Sequence, residues 1–175
     1  MLSLTVNEKR IPYGDTRLEL NGKRYSLHTF QEVFYSDLSD LPSVTVIIAP
    51  TGAGKTFAFI LPIVYAQQHG ALMLPRGLIV VPTNALVEDI YNNFKKITAA
   101  EKLTGSTLKK HGIERPKELL EKLQSANAVI TNPDIVNFVI HGGYHIEKSG
   151  KRRHILSFSD WTEFFGKIDY VIFDE

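Results

Sequence analysis

Gly52, Gly54, Lys55 and Thr56 stand within the stretch IIAPTGAGKT (residues 47–56), and their types and spacing suit the holding of phosphate groups. Glycines at 52 and 54 let the backbone fold tightly enough to aim several N–H groups at β- and γ-phosphate oxygens. Thr51 and Ala53 complete the loop. Lys55 adds a positive charge, and a helix beginning there adds the positive end of its dipole. The Thr56 hydroxyl is the kind of oxygen that ligates Mg2+. The common pattern is G-x-x-x-x-G-K-[ST], and here Ala49 occupies the place of its first glycine. A glycine-rich turn with a chance Gly-Lys-Thr is the alternative. It leaves unexplained why a strand pattern precedes the loop and a helix pattern follows it.

A second candidate lies at YVIFDE (residues 170–175), where four apolar-biased residues run into Asp174 and Glu175. A carboxylate at the end of a buried strand, beside a phosphate loop, is suited to hold Mg2+ through water. Asp174 takes that role, and Glu175 is placed to orient or deprotonate an attacking water. Alone, the pair reads equally as a strand ending in acidic surface residues. Its combination with the phosphate loop favours chemistry.

Regular elements must bring these residues together. Continuous apolar runs predict buried strands at Val44–Ala49, Gly77–Val81, Asn127–Thr131 and 169–174. Helix patterns separate them, one from Lys55, one through about Lys96 and one through about Ile140. The alternation predicts an α/β fold of βαβ units, with a mostly parallel sheet covered by helices on both faces. Ligands of such sheets bind at the carboxyl ends of the strands, where all the motifs fall. Residues 1–28 read as a small β appendage, because Asn21-Gly22 inside RLELNGKRYSL is a strong hairpin signal. A short helix is expected near TFQEVFYSDL, and residues 29–175 form the main lobe.

The bulk properties narrow the setting. A chain of 175 residues is one domain by the usual prior, with enough length to bury a core. The formal net charge is +1, so any nucleic-acid binding relies on local basic patches. The absence of cysteine excludes disulfides and thiolate metal sites and fits a reducing, cytoplasmic setting. The longest apolar run, Phe57 to Ala66, is interrupted by Pro62 and too short to span a bilayer. No signal peptide pattern opens the chain, and no membrane association is expected. The basic cluster at Lys148–His154 reads as a solvated hairpin tip rather than a strand-tracking patch. His141 and His145 have helix-face ligand spacing, but Gly142-Gly143 between them argues against a helix and no third ligand is in view. Trp161, Phe164 and Phe165 read as packing near the last strand.

With those residues in view, the chain resembles a known family. APTGAGKT resembles the A-x-T-G-x-G-K-T loop of superfamily 2 helicases. PTNALVEDIYNNF, from Pro82, resembles their motif Ia, in which P-T-x-x-L opens a helix. TNPDIVNF, from Thr131, resembles the next strand-contacting motif and looks particularly like that of the type I CRISPR-associated helicases. Helix N-termini with small hydroxyl and amide side chains are good receivers of a strand's phosphates. The resemblance therefore implies strand contacts from Pro82, Thr83, Asn84, Thr131, Asn132, Pro133 and Asp134. Helix capping by Thr83 or Asn84, and by Asn132 with Pro133 in the first helical position, accounts for the same residues.

The resemblance covers the chain from about Tyr25 onward and implies the first RecA-like lobe of an ATP-driven motor. ATP and Mg2+ are the implied cofactors, with Thr51 to Thr56 on the phosphates and Thr56 and Asp174 on the metal. Gln31 stands where the superfamily places an adenine-reading glutamine, and Tyr25 or Phe30 could stack on the base. A surface glutamine on an amphipathic helix is the alternative for Gln31. The implied substrate is single-stranded DNA, with an RNA-guided CRISPR surveillance complex as recruiting partner; since no His-Asp pair occurs here, the implied nuclease is a separate chain or lies beyond Glu175. An RNA-directed DEAD-box or DExH motor is the alternative, as is a non-hydrolysing binding module. The family motif continues past Asp-Glu and a second lobe completes the site, so weak nucleotide binding and negligible turnover are expected of these 175 residues alone.

Overall fold

A computed structural model describes residues 11–41, 44–109, 115–141, 144–146 and 152–174. The first strands, β1 (Tyr13–Leu20) and β2 (Lys23–His28), pair antiparallel around Asn21 and Gly22. Both turn residues have positive φ, 51° and 73°, which matches the twist of a tight hairpin and favours this residue pair. Leu18 and Leu27 project from the hairpin into the main core, where they are 1% and 0% exposed. Asn21 Nδ2 donates to the Lys96 carbonyl and Gln68 Nε2 to that of Glu19, so the hairpin is also tied to the body by polar bonds. Helix α1 (Thr29–Phe34) and a 3-10 turn at Leu38–Asp40 follow directly.

The centre is a parallel sheet. Its strands are β3 (Gly77–Val80), β4 (Ala100–Leu103), β5 (Ala128–Thr131) and β8 (Tyr170–Phe173), in the order β4-β5-β3-β8. The pairs run in register, Val80 facing both Thr131 and Phe173. Helices α2 (Lys55–Ala58) and α3 (Leu61–Gln68) precede β3, and α4 (Asn84–Phe94), the single turn α5 (Gly105–Thr107), α6 (Pro116–Ser125) and α7 (Pro133–Ile140) lie between the strands. A small antiparallel pair, β6 (Tyr144–Ile146) and β7 (Arg152–His154), and helix α8 (Phe158–Phe165) precede β8.

Side chains alternate across β3 and β5, which divides the core in two. Ile79, Val81, Ala128 and Ile130 pack with α3, α4 and the hairpin on one face. Leu78, Val80 and Val129 pack with Leu119 and Leu123 of α6, Val139 of α7 and Trp161 and Phe164 of α8 on the other. The architecture is thus α/β with helices on both faces, as the alternating runs imply.

One expected element is absent. Val44–Ala49 is not a strand: it runs without ladder pairing, with Val44, Val46 and Ile48 81%, 77% and 95% exposed. Only Ile47 packs against the core, and the segment borders a shallow groove with Phe30, Val33 and Phe34 of α1. A β-branched run supplies the propensity for extended backbone, but a strand exists only where an edge accepts its hydrogen bonds. Two smaller differences have local causes. The helix expected from Lys55 is broken at Phe59-Ile60, because Pro62 has no N–H to donate to Ala58. Strand β4 (AEKL) was not legible, since an edge strand tolerates Glu and Lys and shows no apolar run.

The basic cluster read as a hairpin tip falls at the antiparallel pair β6 and β7, while residues 147–151 lie outside the described residues. Among the described residues no helix is long and apolar enough to cross a membrane, and no group of three His, Cys, Asp or Glu side chains converges.

Candidate functional site

The glycine loop begins with a tight turn. Ala53 N–H donates to the Pro50 carbonyl at 3.2 Å, with Thr51 and Gly52 at the turn's centre. Gly52 has φ +80°, the geometry that a type II turn requires at its third residue and that side chains resist. A Cβ there would meet nothing within 4 Å, so the space in front of Gly52 is open. Gly54 is also left-handed, φ 79° and ψ 29°, and starts α2, whose first N–H groups have no partner within the helix. The Lys55 ammonium spans the loop to the Ala49 carbonyl at 2.7 Å. The bond joins the two ends of the loop, and an incoming phosphate would share or displace it.

Gln31 braces this loop. Its Nε2 donates to the Gly54 carbonyl at 2.9 Å, while its Oε1 accepts from the His28 backbone N–H at 2.8 Å. The residue is 4% exposed, and both ends of the carboxamide are engaged with the protein. A Cβ on Gly54 would lie 2.7 Å from that Nε2, so an alanine there would displace the Gln31 carboxamide as well as strain the backbone. Tyr25 stacks on Phe57 at 5.3 Å, and Phe30 lies beside His28 and is partly buried in the core.

The remaining motif residues collect at the carboxyl edge of the sheet. The Asp174 N–H donates to the Val80 carbonyl at 3.0 Å and the Val81 N–H to that of Thr131 at 2.9 Å. These bonds set Asp174, the Pro82-Thr83-Asn84 segment and the Asn132-Pro133-Asp134 segment at the ends of three adjacent strands. Thr83 is the N-cap of α4, accepting from Leu86 N–H at 3.3 Å. Asn132 caps α7, accepting from Ile135 N–H at 3.0 Å, with Pro133 in the first turn. The capping readings of Thr83 and Asn132 are met by these bonds; of the residues expected at a strand, Pro82, Thr83, Asn84, Pro133 and Asp134 are exposed, whereas Asn132 is 5% exposed and its side chain faces the protein. Thr131 is fully buried, and its hydroxyl donates to the Leu103 carbonyl at 2.8 Å.

Two links were not legible in the sequence. Asn132 Nδ2 donates to Asn84 Oδ1 at 2.8 Å, joining the starts of α4 and α7. Tyr170, at the start of β8, donates its hydroxyl to the Phe59 carbonyl at 3.0 Å, in the break between α2 and α3. Burial pushes the Tyr170 hydroxyl well above the usual tyrosine range, with the nearby Asp169 charge adding to it, so the group stays a neutral donor. No spacing rule connects residues so far apart in the chain.

Among the described residues no bond joins Asp174 to Lys55 or Thr56, and Glu175 lies outside the described residues. The donor set nonetheless suits Mg2+ and a nucleotide. A hydroxyl at Thr56 and a carboxylate at Asp174 are hard oxygen ligands, and the space in front of Gly52 is open to phosphate oxygens.

Comparison with known proteins points to one family. Residues 29–175 match the DEAD/DEAH box helicase family. The chain is 24% identical over 163 residues to "Probable ATP-dependent RNA helicase ddx52" of Dictyostelium discoideum, covering 87% of this chain and 22% of that protein. It is 40% identical over 57 residues to "ATP-dependent RNA helicase DDX51" of Mus musculus, covering 33% of this chain and 9% of that one. Among solved structures, the DUF1998 helicase MrfA bound to DNA and AMPPNP has a similar fold, with a TM-score of 0.58 at 22% identity. That likeness covers 86% of this chain and 19% of MrfA. The chain thus spans about a fifth of the length of the ddx52 protein. Matched from α1 to the terminal Asp-Glu, the chain belongs to the DEAD/DEAH box helicase family.

Proposed function

We propose that this chain is the ATP-binding lobe of an ATP-dependent motor that grips and moves along a single strand of DNA. What carries the reading is the placement of PTN, TNPD and Asp174 at one edge of a parallel sheet, downstream of a glycine loop braced by Gln31 and Lys55. The Gly52–Lys55 backbone and the Lys55 ammonium hold the β- and γ-phosphates. Thr56 and Asp174 hold Mg2+, and Glu175 orients the attacking water. ATP with Mg2+, when bound, supplies a phosphoryl group whose loss changes how the lobe fits its partner lobe. The starts of α4 and α7 receive the strand's phosphates through backbone N–H groups and small polar side chains.

The finer form of the reading follows TNPDI, which resembles the type I CRISPR-associated helicases. In that form the motor acts in the cytoplasm on DNA exposed by an RNA-guided surveillance complex, with a separate nuclease. An RNA-directed motor is the second reading, favoured by the curated relatives, whose names describe RNA helicases. The deciding experiment is ATP hydrolysis by the intact protein with single-stranded DNA or with RNA of the same sequence. Stimulation by DNA alone supports the proposal. Stimulation by RNA alone overturns it in favour of the second reading, and no stimulation by either overturns the strand motor.

A further inference from the structure

The link between Asn84 and Asn132 has a fixed polarity, and that polarity selects what the edge of the sheet offers to a ligand. The Ile135 backbone N–H can only donate, so the end of Asn132 that faces it is the oxygen, at 3.0 Å. Asn132 must then turn its NH2 toward Asn84. An NH2 only donates, so it selects the oxygen of Asn84, at 2.8 Å. A carboxamide that turns its oxygen inward turns its own NH2 the other way. The order of donors and acceptors is thus set by one backbone N–H in α7 and relayed through two side chains to the first residue of α4.

Burial separates the roles of the two residues. Asn132 is 5% exposed and its oxygen and NH2 both have protein partners, whereas Asn84 is exposed. We infer that Asn132 is a positioning residue for strand binding: it fixes the orientation of Asn84 so that α4 presents an N–H donor, rather than a carbonyl acceptor, to a phosphate of the strand. The inference rests on the proposed strand grip at the starts of α4 and α7 and adds to it a residue that acts without touching the strand. Phosphate oxygens accept only, so a reversed Asn84 would face them with its own oxygen and repel them.

Aspartate at 132 provides the test, because it caps α7 as well as asparagine does but has no donor to give. In Asn132→Asp the second carboxylate oxygen faces Asn84, which must turn its NH2 inward and its oxygen toward the strand. The measurement is fluorescence anisotropy of labelled single-stranded DNA and RNA with the intact protein, its N132D, N84A and N84A/N132D variants, and N132S. Asn132→Ser keeps a cap and removes the link. N132D is expected to weaken strand binding about tenfold, as loss of one hydrogen bond to a charged group implies. N84A is expected to lose a similar amount, and the double variant no more than N84A alone. If N132D unfolds in a melting curve, N132S carries the test, with a smaller loss of about threefold from a freely rotating Asn84. Wild-type affinity in the folded 132 variants, or losses that add in the double variant, overturn the inference and leave the strand grip intact. If the wild-type protein binds neither strand, the strand grip itself falls, and this inference with it.

Discussion

The hydroxyl of Tyr170 donates a 3.0 Å hydrogen bond to the carbonyl of Phe59, which lies 111 residues earlier in the chain. The bond crosses from the strand that leads into Asp174 to the segment that leads out of the phosphate loop. The Phe59 carbonyl lies where Pro62 breaks the helix, so Tyr170 supplies a partner that the broken helix does not.

Removing that hydroxyl has a cost and a pH signature. Tyr170→Phe is expected to lower stability by about 1–3 kcal/mol, since it leaves a carbonyl without its partner. Burial raises the folded-state pKa of Tyr170 above its unfolded value of about 10. Its stabilisation is therefore complete below about pH 10 and is lost as pH rises further, because only the unfolded chain can ionise there. Urea unfolding at pH 8 and pH 10.5 checks this. The wild type should lose more stability between the two than the phenylalanine variant.

Gly77, at the start of β3, faces the same ring. A Cβ at Gly77 would lie 2.5 Å from the Tyr170 ring, inside any allowed contact. Gly77→Ala is expected to destabilise by about 2 kcal/mol or more through overpacking. Combined with Tyr170→Leu, the alanine should cost less than it does alone. Additive losses in the double variant would contradict the contact.

In the phosphate loop, Gly52→Ala and Gly54→Ala separate backbone strain from collision. Both residues have φ near +80°, yet only Gly54 faces a side chain, Gln31 Nε2 at 2.7 Å. Strain of about 1–2 kcal/mol implies a loss of nucleotide affinity of roughly fivefold to thirtyfold in Gly52→Ala. A larger loss is expected in Gly54→Ala, partly restored by Gln31→Ala. Titration with a fluorescent ATP analogue reads both.

Lys55→Ala removes the charge on the phosphates and the bond that closes the loop on Ala49. ATP turnover by the intact protein is expected to fall about a hundredfold or more, since electrostatic stabilisation of a transferring phosphoryl group is of that size. Turnover within a factor of about three of wild type would remove Lys55 from the chemistry.

Thr131→Val tests a structural bond beneath the TNPD motif. The Thr131 hydroxyl is buried and donates to the Leu103 carbonyl, tying β5 to the edge strand β4. Valine has the same shape and no donor, so a loss of about 1–2 kcal/mol in thermal or urea unfolding is expected.

Much of the local structure was legible without coordinates. Asn21-Gly22 called for a hairpin because few other pairs accept positive φ at both positions. Thr83 and Asn132-Pro133 announced helix starts because their side chains and ring geometry satisfy or avoid the first unpaired N–H groups. The apolar runs of β3, β5 and β8 implied a sheet covered on both faces. Gln31 was singled out as well, but its bonds to Gly54 and His28 lay beyond any pattern, as did the exposed course of Val44–Ile48.

The sequence by itself determined the turns, the caps, the glycine loop and the alternation of strand and helix. Each of these depends on backbone sterics and on groups a few residues apart. Only the tertiary structure decided which apolar runs found a ladder partner. It also decided that Gln31 meets the loop, that Tyr170 meets Phe59 and that Asn132 orients Asn84. The physical reason is common to all of these: a hydrogen bond across the chain needs a donor and an acceptor placed by folding, and residue type alone cannot say which will meet.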